Sequence, residues 1–192
     1  VTVQEATEQT GRDVVDQVLA ALAAYQAGTL TADAFAALVA SFLAAGKTAG
    51  LALGDAAFVA QMQAATGTAH AFPGTVLPES EVDRLQRAAE TIRTDLDRDQ
   101  NAEKAAKRLT RLAEAEIKKA AADALAGAIR TEERVTGWVR VLEPAPTCQL
   151  CHWWYRDGRV WPSDHPMPRH TGCDCTQRIV TLSEPAKPVR YH

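Results

Sequence analysis

All four cysteines of this 192-residue chain fall in one window, as Cys148-Gln149-Leu150-Cys151 and His170-Thr171-Gly172-Cys173-Asp174-Cys175. Two thiolates three positions apart can converge on one ion while backbone amides of the turn donate to their sulfurs. A closed tetrahedral zinc site needs four nitrogen or sulfur donors. Cys148 and Cys151 supply two, and His170, Cys173 and Cys175 offer the rest. Using both Cys173 and Cys175 asks for a bend in the chain, whereas His170 with either asks only for a loop. The favoured set is therefore Cys148, Cys151, His170 and Cys175, with Cys173 as the alternative fourth ligand and zinc as the expected ion. A pair of disulfides would need an oxidising compartment. A redox Cys-x-x-Cys normally opens a helix after a strand, and here Pro144 and Pro146 precede it. Both readings rank below zinc.

The residues between the ligand pairs must position them. Trp153, Trp154 and Tyr155 lead to Asp157-Gly158, followed by Arg159, Val160 and Trp161. Asp-Gly between aromatic and β-branched residues predicts a tight hairpin turn, because glycine accepts the positive φ such a turn requires. The tryptophans could stack on nucleic-acid bases, but a module this short needs apolar bulk around its metal, so core packing is the preferred role. His152 and His165 have no partner at ligand spacing and read as outer or surface residues.

A net charge of −3 excludes a protein whose whole surface is a nucleic-acid-binding field. Alanine is abundant, aromatic residues are sparse outside the cysteine window, and no run approaches the roughly 20 apolar residues that span a bilayer. The chain reads as soluble, intracellular and mainly α-helical, with long helices, a helical hairpin and a small C-terminal β-hairpin module stapled by the zinc site.

Residues 1–66 read as the N-terminal helical hairpin. Val15, Val18, Leu22 and Tyr25 recur at helical spacing, Gly28 stops the first helix, and Thr31 caps the second, whose apolar face carries Phe35, Leu38, Val39, Phe42 and Leu43. Gly46, Gly50 and Gly54 recur at four-residue steps, which predicts close helix packing or a kink. Residues 67–79, with Gly67, Pro73, Gly74 and Pro78, form a loop or hinge. Residues 80–134 are a long charged helical segment, opened by a Ser80/Asp83 capping pair and carrying a seam of Val82, Leu85, Ala89, Ile92 and Leu96. Asn101 either starts a new helix there or continues the old one. Lys104, Lys107, Arg108, Arg111, Lys118 and Lys119 could follow phosphates, but the interleaved Glu103, Glu114 and Glu116 favour a solvated helix surface. Residues 135–182 are the Cys/His module, in which a strand near 136–142 pairs with one near 177–182. Residues 183–192, with Pro185 and Pro188, read as an extended tail.

The order of charged helix, Gly137-Trp138-Val139-Arg140-Val141-Leu142, Cys148-x-x-Cys151, Asp157-Gly158-Arg159-Val160 and His170-x-x-Cys173-x-Cys175 resembles the phage Mu F-like minor head proteins, or phage head morphogenesis proteins, over roughly residues 105 to 182. Glu116 matches the acid that the family carries on its helix. Thr171, Gly172 and Asp174 depart from the family's usual proline, asparagine and arginine, while the ligand types are kept. The resemblance implies a structural virion protein of few copies in the head interior or portal region, made in the host cytoplasm. Its implied partners are portal and major capsid proteins and packaged DNA, with no membrane. The alternative function is DNA binding by the basic helix and Trp-rich module. A maturation protease ranks lowest: a His-Glu-x-x-His helix is missing and the best nucleophiles are used as ligands, so no enzymatic activity is expected.

Overall fold

The computed structural model describes residues 2–142 and 148–182. The elements in chain order are α1 (Val3–Gln26), α2 (Ala32–Thr66), α3 (Glu79–Asp99), α4 (Ala102–Thr131), β1 (Val135–Val141), α5 (Gln149–Tyr155), a single 3-10 turn at Arg156–Gly158, β2 (Trp161–Pro162) and β3 (Thr176–Thr181). The fold is mainly helical with a small C-terminal antiparallel sheet, as expected. Two compact units divide the chain, Val1–Leu53 with Val76–Ala121 and Gly54–Thr75 with Ala122–His192. The expected tail at 183–192 and the prolines before Cys148 lie outside the described residues.

The helix boundaries follow from local chemistry. Thr2 and Glu5 form a reciprocal capping box that satisfies two otherwise free amides at the start of α1. Gly28, at φ 72°, takes the left-handed conformation that ends α1. The Thr31 hydroxyl accepts from the Ala34 amide at 3.2 Å, as its position suggested. The α3–α4 boundary is a true break: Gln100 is left-handed at φ 51°, and Asn101 Oδ1 accepts from the Lys104 amide at 2.9 Å. The Ser80/Asp83 pair is not used. Pro78 precedes the helix in extended conformation and α3 begins one residue before Ser80, with no side-chain cap. Proline fixes a φ suited to a helix start without that cap.

The first unit buries Val18, Phe35, Val39, Leu43, Leu85, Leu109 and Ile117 in one apolar cluster. Val82 was expected on the seam but is 40% exposed, whereas Leu85, Ala89, Ile92 and Leu96 are buried. The glycines of α2 act by close approach. A Cβ on Gly46 would lie 2.7 Å from Val14 Cγ2, and one on Gly50 would lie 2.8 Å from the Ile117 carbonyl oxygen and 3.2 Å from Ala120 Cβ. Several of the basic residues of α4 are engaged by carboxylates: Lys104 by Asp99, Lys107 by Glu103 and Arg108 by Asp95.

Four charges form one cluster in this unit, with Lys47 and Glu116 buried and Glu81 and Arg84 partly exposed. Lys47 Nζ, on the apolar α2, lies 2.6 Å from both Glu81 Oε2 and Glu116 Oε2. Arg84 Nη2 reaches Glu116 Oε2 at 2.6 Å and Glu81 Oε2 at 3.0 Å. Burial pushes the Glu116 carboxyl up, but hydrogen bonds from Arg84 and Lys47 outweigh it and leave the group below its ordinary value. Hydrogen bonds from Arg84 and then Lys47 lower Glu81 from 4.5 to about 2. By length and composition α2 is apolar enough to cross a bilayer, contrary to the sequence expectation, because its many alanines add to its leucine, valine and phenylalanine residues. Its Lys47 and Asp55 are nevertheless buried and hydrogen-bonded.

In the second unit β1 is central, in the order β2-β1-β3, and both pairings are antiparallel. Trp138 stands opposite Trp161 on one side and Ile179 on the other. Any Cβ at Gly137 would collide with the Trp161 carbonyl oxygen, so glycine is what lets β2 approach. Phe58, Met62, Leu125, Ile129, Trp138 and Ile179 form the core against the sheet. Gln61 joins β3 directly: its Nε2 donates to the Gln177 carbonyl at 3.1 Å and its Oε1 accepts from the Ile179 amide at 2.8 Å. The loop after α2 is held at two points. Asp55, fully buried, accepts from the Thr75 amide and hydroxyl, both at 2.7 Å. His70 sits between Glu132 at 3.1 Å and Arg134 at 2.8 Å.

Two results are expected. Gly50→Ala should destabilise the protein by about 1–3 kcal/mol despite its gain in helix propensity, because backbone at Ile117 cannot yield. Gly11→Ala, where a Cβ meets nothing within 4 Å, should stabilise it by up to about 1 kcal/mol. Urea unfolding followed by far-UV circular dichroism compares the two, and equal midpoints would contradict the packing account. For the charge cluster, Lys47→Met should cost about 3 kcal/mol, since it leaves buried carboxylate behind. Glu81 is lowered, so its contribution is complete above pH 4.5 and is lost as the pH falls through about 2, and Glu116, also lowered, acts in the same direction. A Glu81→Gln, Glu116→Gln protein should be less stable at neutral pH and show a flatter stability curve across that window. An unchanged slope would contradict this assignment.

Candidate metal centre

The chain enters the site at Cys148, which is extended (φ −69°, ψ 156°) and caps α5. One helical turn then returns Cys151 to the same point, so residues 149–155 form a helix and not the first arm of a hairpin. The hairpin expected at Asp157-Gly158 is replaced by a left-handed run, with φ 49°, 53° and 78° at Arg156, Asp157 and Gly158. The glycine supplies the positive φ that the sequence suggested, but it turns the chain out of a helix and towards β2. A Cys-x-x-Cys pair needs that helical or knuckle-like return, which an extended arm does not provide.

Cys148 Sγ lies 3.4 Å from Cys151 Sγ and 3.1 Å from His170 Nε2, and Cys151 Sγ lies 3.2 Å from the same nitrogen. Cys151 Sγ is also 3.6 Å from Cys173 Sγ. Two groups capable of holding a metal ion result, Cys148/Cys151/His170 and Cys151/Cys173/Cys175, which share Cys151. A tetrahedral ion with metal–sulfur bonds of about 2.3 Å spaces its sulfurs by about 3.8 Å, so the donors stand within a few tenths of an ångström of ligand spacing. All four cysteines are free thiols. Cys148, Cys151 and His170 thus come together in one group, and Cys151, Cys173 and Cys175 in the other. No bend is needed to bring both Cys173 and Cys175 inwards, since residues two apart on an extended chain face the same side.

Backbone and charge prepare the thiols. Amide donors from Cys151 and Leu150 help hold the Cys148 thiol below its ordinary value, the Cys151 amide contributing most. Burial raises Cys173, but the Cys175 amide, Cys151 and the Arg169 charge together lower it. Cys151 is pushed strongly upward, first by burial and then by its thiol neighbours. A cation is what would let all of them ionise together. The His170 ring is set by its Nδ1 contact with the Thr171 carbonyl at 3.0 Å, which leaves Nε2 facing the sulfurs.

Sequence reasoning missed the groups around the donors. Arg140, on β1, is 1% exposed; its Nη1 lies 3.9 Å from Cys173 Sγ and its Nη2 donates to the Pro168 carbonyl. Its guanidinium lies 5.3 Å from the Trp154 ring centre, and Trp154 stacks on His170. Arg169 donates to the carbonyls of Cys173 at 2.8 Å and Cys175 at 3.1 Å. The available signal was a charged residue inside the apolar run Trp138-Val139-Arg140-Val141. The tryptophans divide in role: Trp138 is fully buried, Trp154 and Trp161 pack partly, and Trp153 is 60% exposed, so core packing does not describe it. His152 is exposed, while His165 stacks on Trp161 at 4.3 Å.

Neither the curated proteins nor the solved structures include a match to this chain. The protein family described as VG15 protein matches residues 2–191, which takes in the helices, the sheet and the Cys/His cluster together. The chain therefore belongs to the VG15 protein family, a viral family.

Proposed function

We propose that this protein is a minor capsid component of a tailed phage, of the head-morphogenesis kind, and that its Cys/His cluster holds zinc for a structural purpose only. The observation that carries this reading is the gathering of five metal donors into two groups that share Cys151, towards the end of a mainly helical chain from a viral family. The motif order that resembles the Mu F-like minor head proteins supports the head assignment. The segment around the donors buries little beyond its own cysteines, with Leu142 and Met167 packed against them, so a metal supplies the folding energy that an apolar core would otherwise provide. The four cysteines and His170 are drawn together in these two groups, which supports a structural role for them.

In this reading the protein works in the portal region or head interior, after assembly in the host cytoplasm, with portal and major capsid proteins as partners. The pairing of Lys104, Lys107 and Arg108 with nearby carboxylates weakens the competing proposal of a DNA-binding module. The deciding experiment is mass spectrometry of what co-purifies with the tagged protein during virion production, with and without nuclease. Portal and capsid proteins should be recovered regardless of nuclease. Recovery of nucleic acid without those proteins would overturn the assembly role.

The metal has its own test. All four tryptophans lie between Trp138 and Trp161, so near-UV circular dichroism reports on the sheet and metal segment. The purified protein should carry about one zinc per chain, as one closed four-ligand site requires. Chelation or Cys148→Ser should abolish the near-UV signal while the far-UV helical signal largely persists. Metal-free protein with an intact near-UV spectrum would sink the structural-zinc reading.

A further inference from the structure

The first unit carries two faces of opposite charge on different helices. α3 and α4 run antiparallel, as the Asp95–Arg108 and Arg84–Glu116 contacts require. Between them lies an open groove of about 350 Å³, lined by Ala88, Thr91 and Ile92 of α3 and by Arg108, Arg111 and Leu112 of α4. Its lining is apolar apart from Thr91 and the two arginines. Arg108 is engaged by Asp95, but the exposed Arg111 guanidinium makes no hydrogen bond or ion pair with any described residue. The same holds for the guanidinium of Arg87, exposed one residue before Ala88. The acids that join the two helices are already spent: Asp95 on Arg108 and Arg98, Glu116 on Lys47 and Arg84.

α1 carries the complement. Asp13, Asp16, Ala20 and Ala23 recur at steps of three and four, so they share one helix face, and all four are exposed. The Asp13 carboxylate accepts from Gln9 on its own helix at 2.7 Å, and the Asp16 carboxylate contacts no described residue. Arg12, the one base of α1, is turned to Gln9 and Glu8 on the same helix. Alanines on this face let the helix approach a groove closely, and the aspartates beside them are free to meet guanidinium groups. The opposite side of α1 is buried through Val14 and Val18 in the core of its own chain, so the outer face can reach such a groove only on another molecule.

We propose that copies of this chain associate head to tail through the first unit, the outer face of α1 in one copy lying in the α3–α4 groove of the next, with the aspartates on Arg111 and Arg87. The two surfaces differ, so each pairing leaves one groove and one α1 face open, and association continues until a ring closes or a chain forms. A phosphate backbone is the competing occupant of the groove. It would use the arginines but not the apolar lining, and it gives the acidic face of α1 no role. A contact along one or two helical turns is small, so the association is weak and salt-sensitive. Neither the metal centre nor the place of the protein in a virion enters this inference.

The test is sedimentation velocity of the full chain over a range of concentrations, at low and high salt. The wild type should sediment faster as concentration rises at low salt, and high salt should remove the effect. Asp16→Arg and Arg111→Glu, each at an exposed position and with a wild-type far-UV spectrum, should each weaken self-association about 10-fold or more, since like charges then face each other. An equimolar mixture of the two variants should associate again, because each junction in it pairs opposite charges, and the protein carrying both changes should associate alone. A misfolded variant could not be rescued by mixing. A wild type that stays monomeric at every concentration, or a mixture that stays monomeric, would overturn the proposal. Salt-sensitive binding of a DNA duplex that Arg111→Glu loses and Asp16→Arg strengthens, with no self-association, would give the groove to nucleic acid instead.

Discussion

Three buried thiols whose sulfurs lie within 4.8 Å of one another, those of Cys151, Cys173 and Cys175, cannot all ionise unless a cation stands among them. The second unit is built around that constraint. Cys151 sits where two donor groups overlap, and burial with its sulfur neighbours drives its own thiol strongly towards the neutral form. The chain opposes this with backbone amides at Cys148 and Cys173 and with arginines on the protein side. Every local feature of the segment serves the same convergence. The extended cap at Cys148 starts a helix short enough to return Cys151, and three left-handed residues then discharge the chain towards β2.

The first unit buries charge by a different route. There, two acids and two bases neutralise one another through hydrogen bonds of 2.6 to 3.0 Å, and no external ion is implied. Glu116, which the family resemblance singled out, belongs to this quartet. Its neighbours Ile117 and Ala120 meet the glycines of α2, so the close helix contact and the ion cluster occupy the same stretch of α4. Small residues on one helix thus allow the approach that brings Lys47 within reach of carboxylates on two others.

Much of this was legible in the sequence, for reasons tied to particular residues. Long periodic segments gave α1 and α4 within a few residues, and Gly28, Thr31 and Asn101 marked boundaries because each has a conformation or hydrogen bond that a helix end requires. The five donors were visible because cysteine and histidine are rare and their spacing is chemically restrictive. The short helix at Gln149 was not visible: its aromatic residues favour strands in general, and only the tertiary demand that two sulfurs meet overrides that preference. Nor could the sequence place Arg140 against Cys173, since the two are joined only through the pairing of β1 with β3. The Ser80 cap was misplaced because Pro78 offers a competing helix start two residues earlier.

Gln61 gives the small sheet a property of wider consequence. By presenting one donor and one acceptor to β3, its amide copies the bonding of an additional strand and occupies the backbone groups of Gln177 and Ile179 that would otherwise template another chain. On the opposite margin, β2 is two residues long and ends in Pro162, which has no amide hydrogen to offer. Both margins are therefore poor substrates for strand addition. Copies of this protein concentrated at one place would be guarded against sheet-to-sheet polymerisation, and their contacts would have to be made through side chains and helix surfaces.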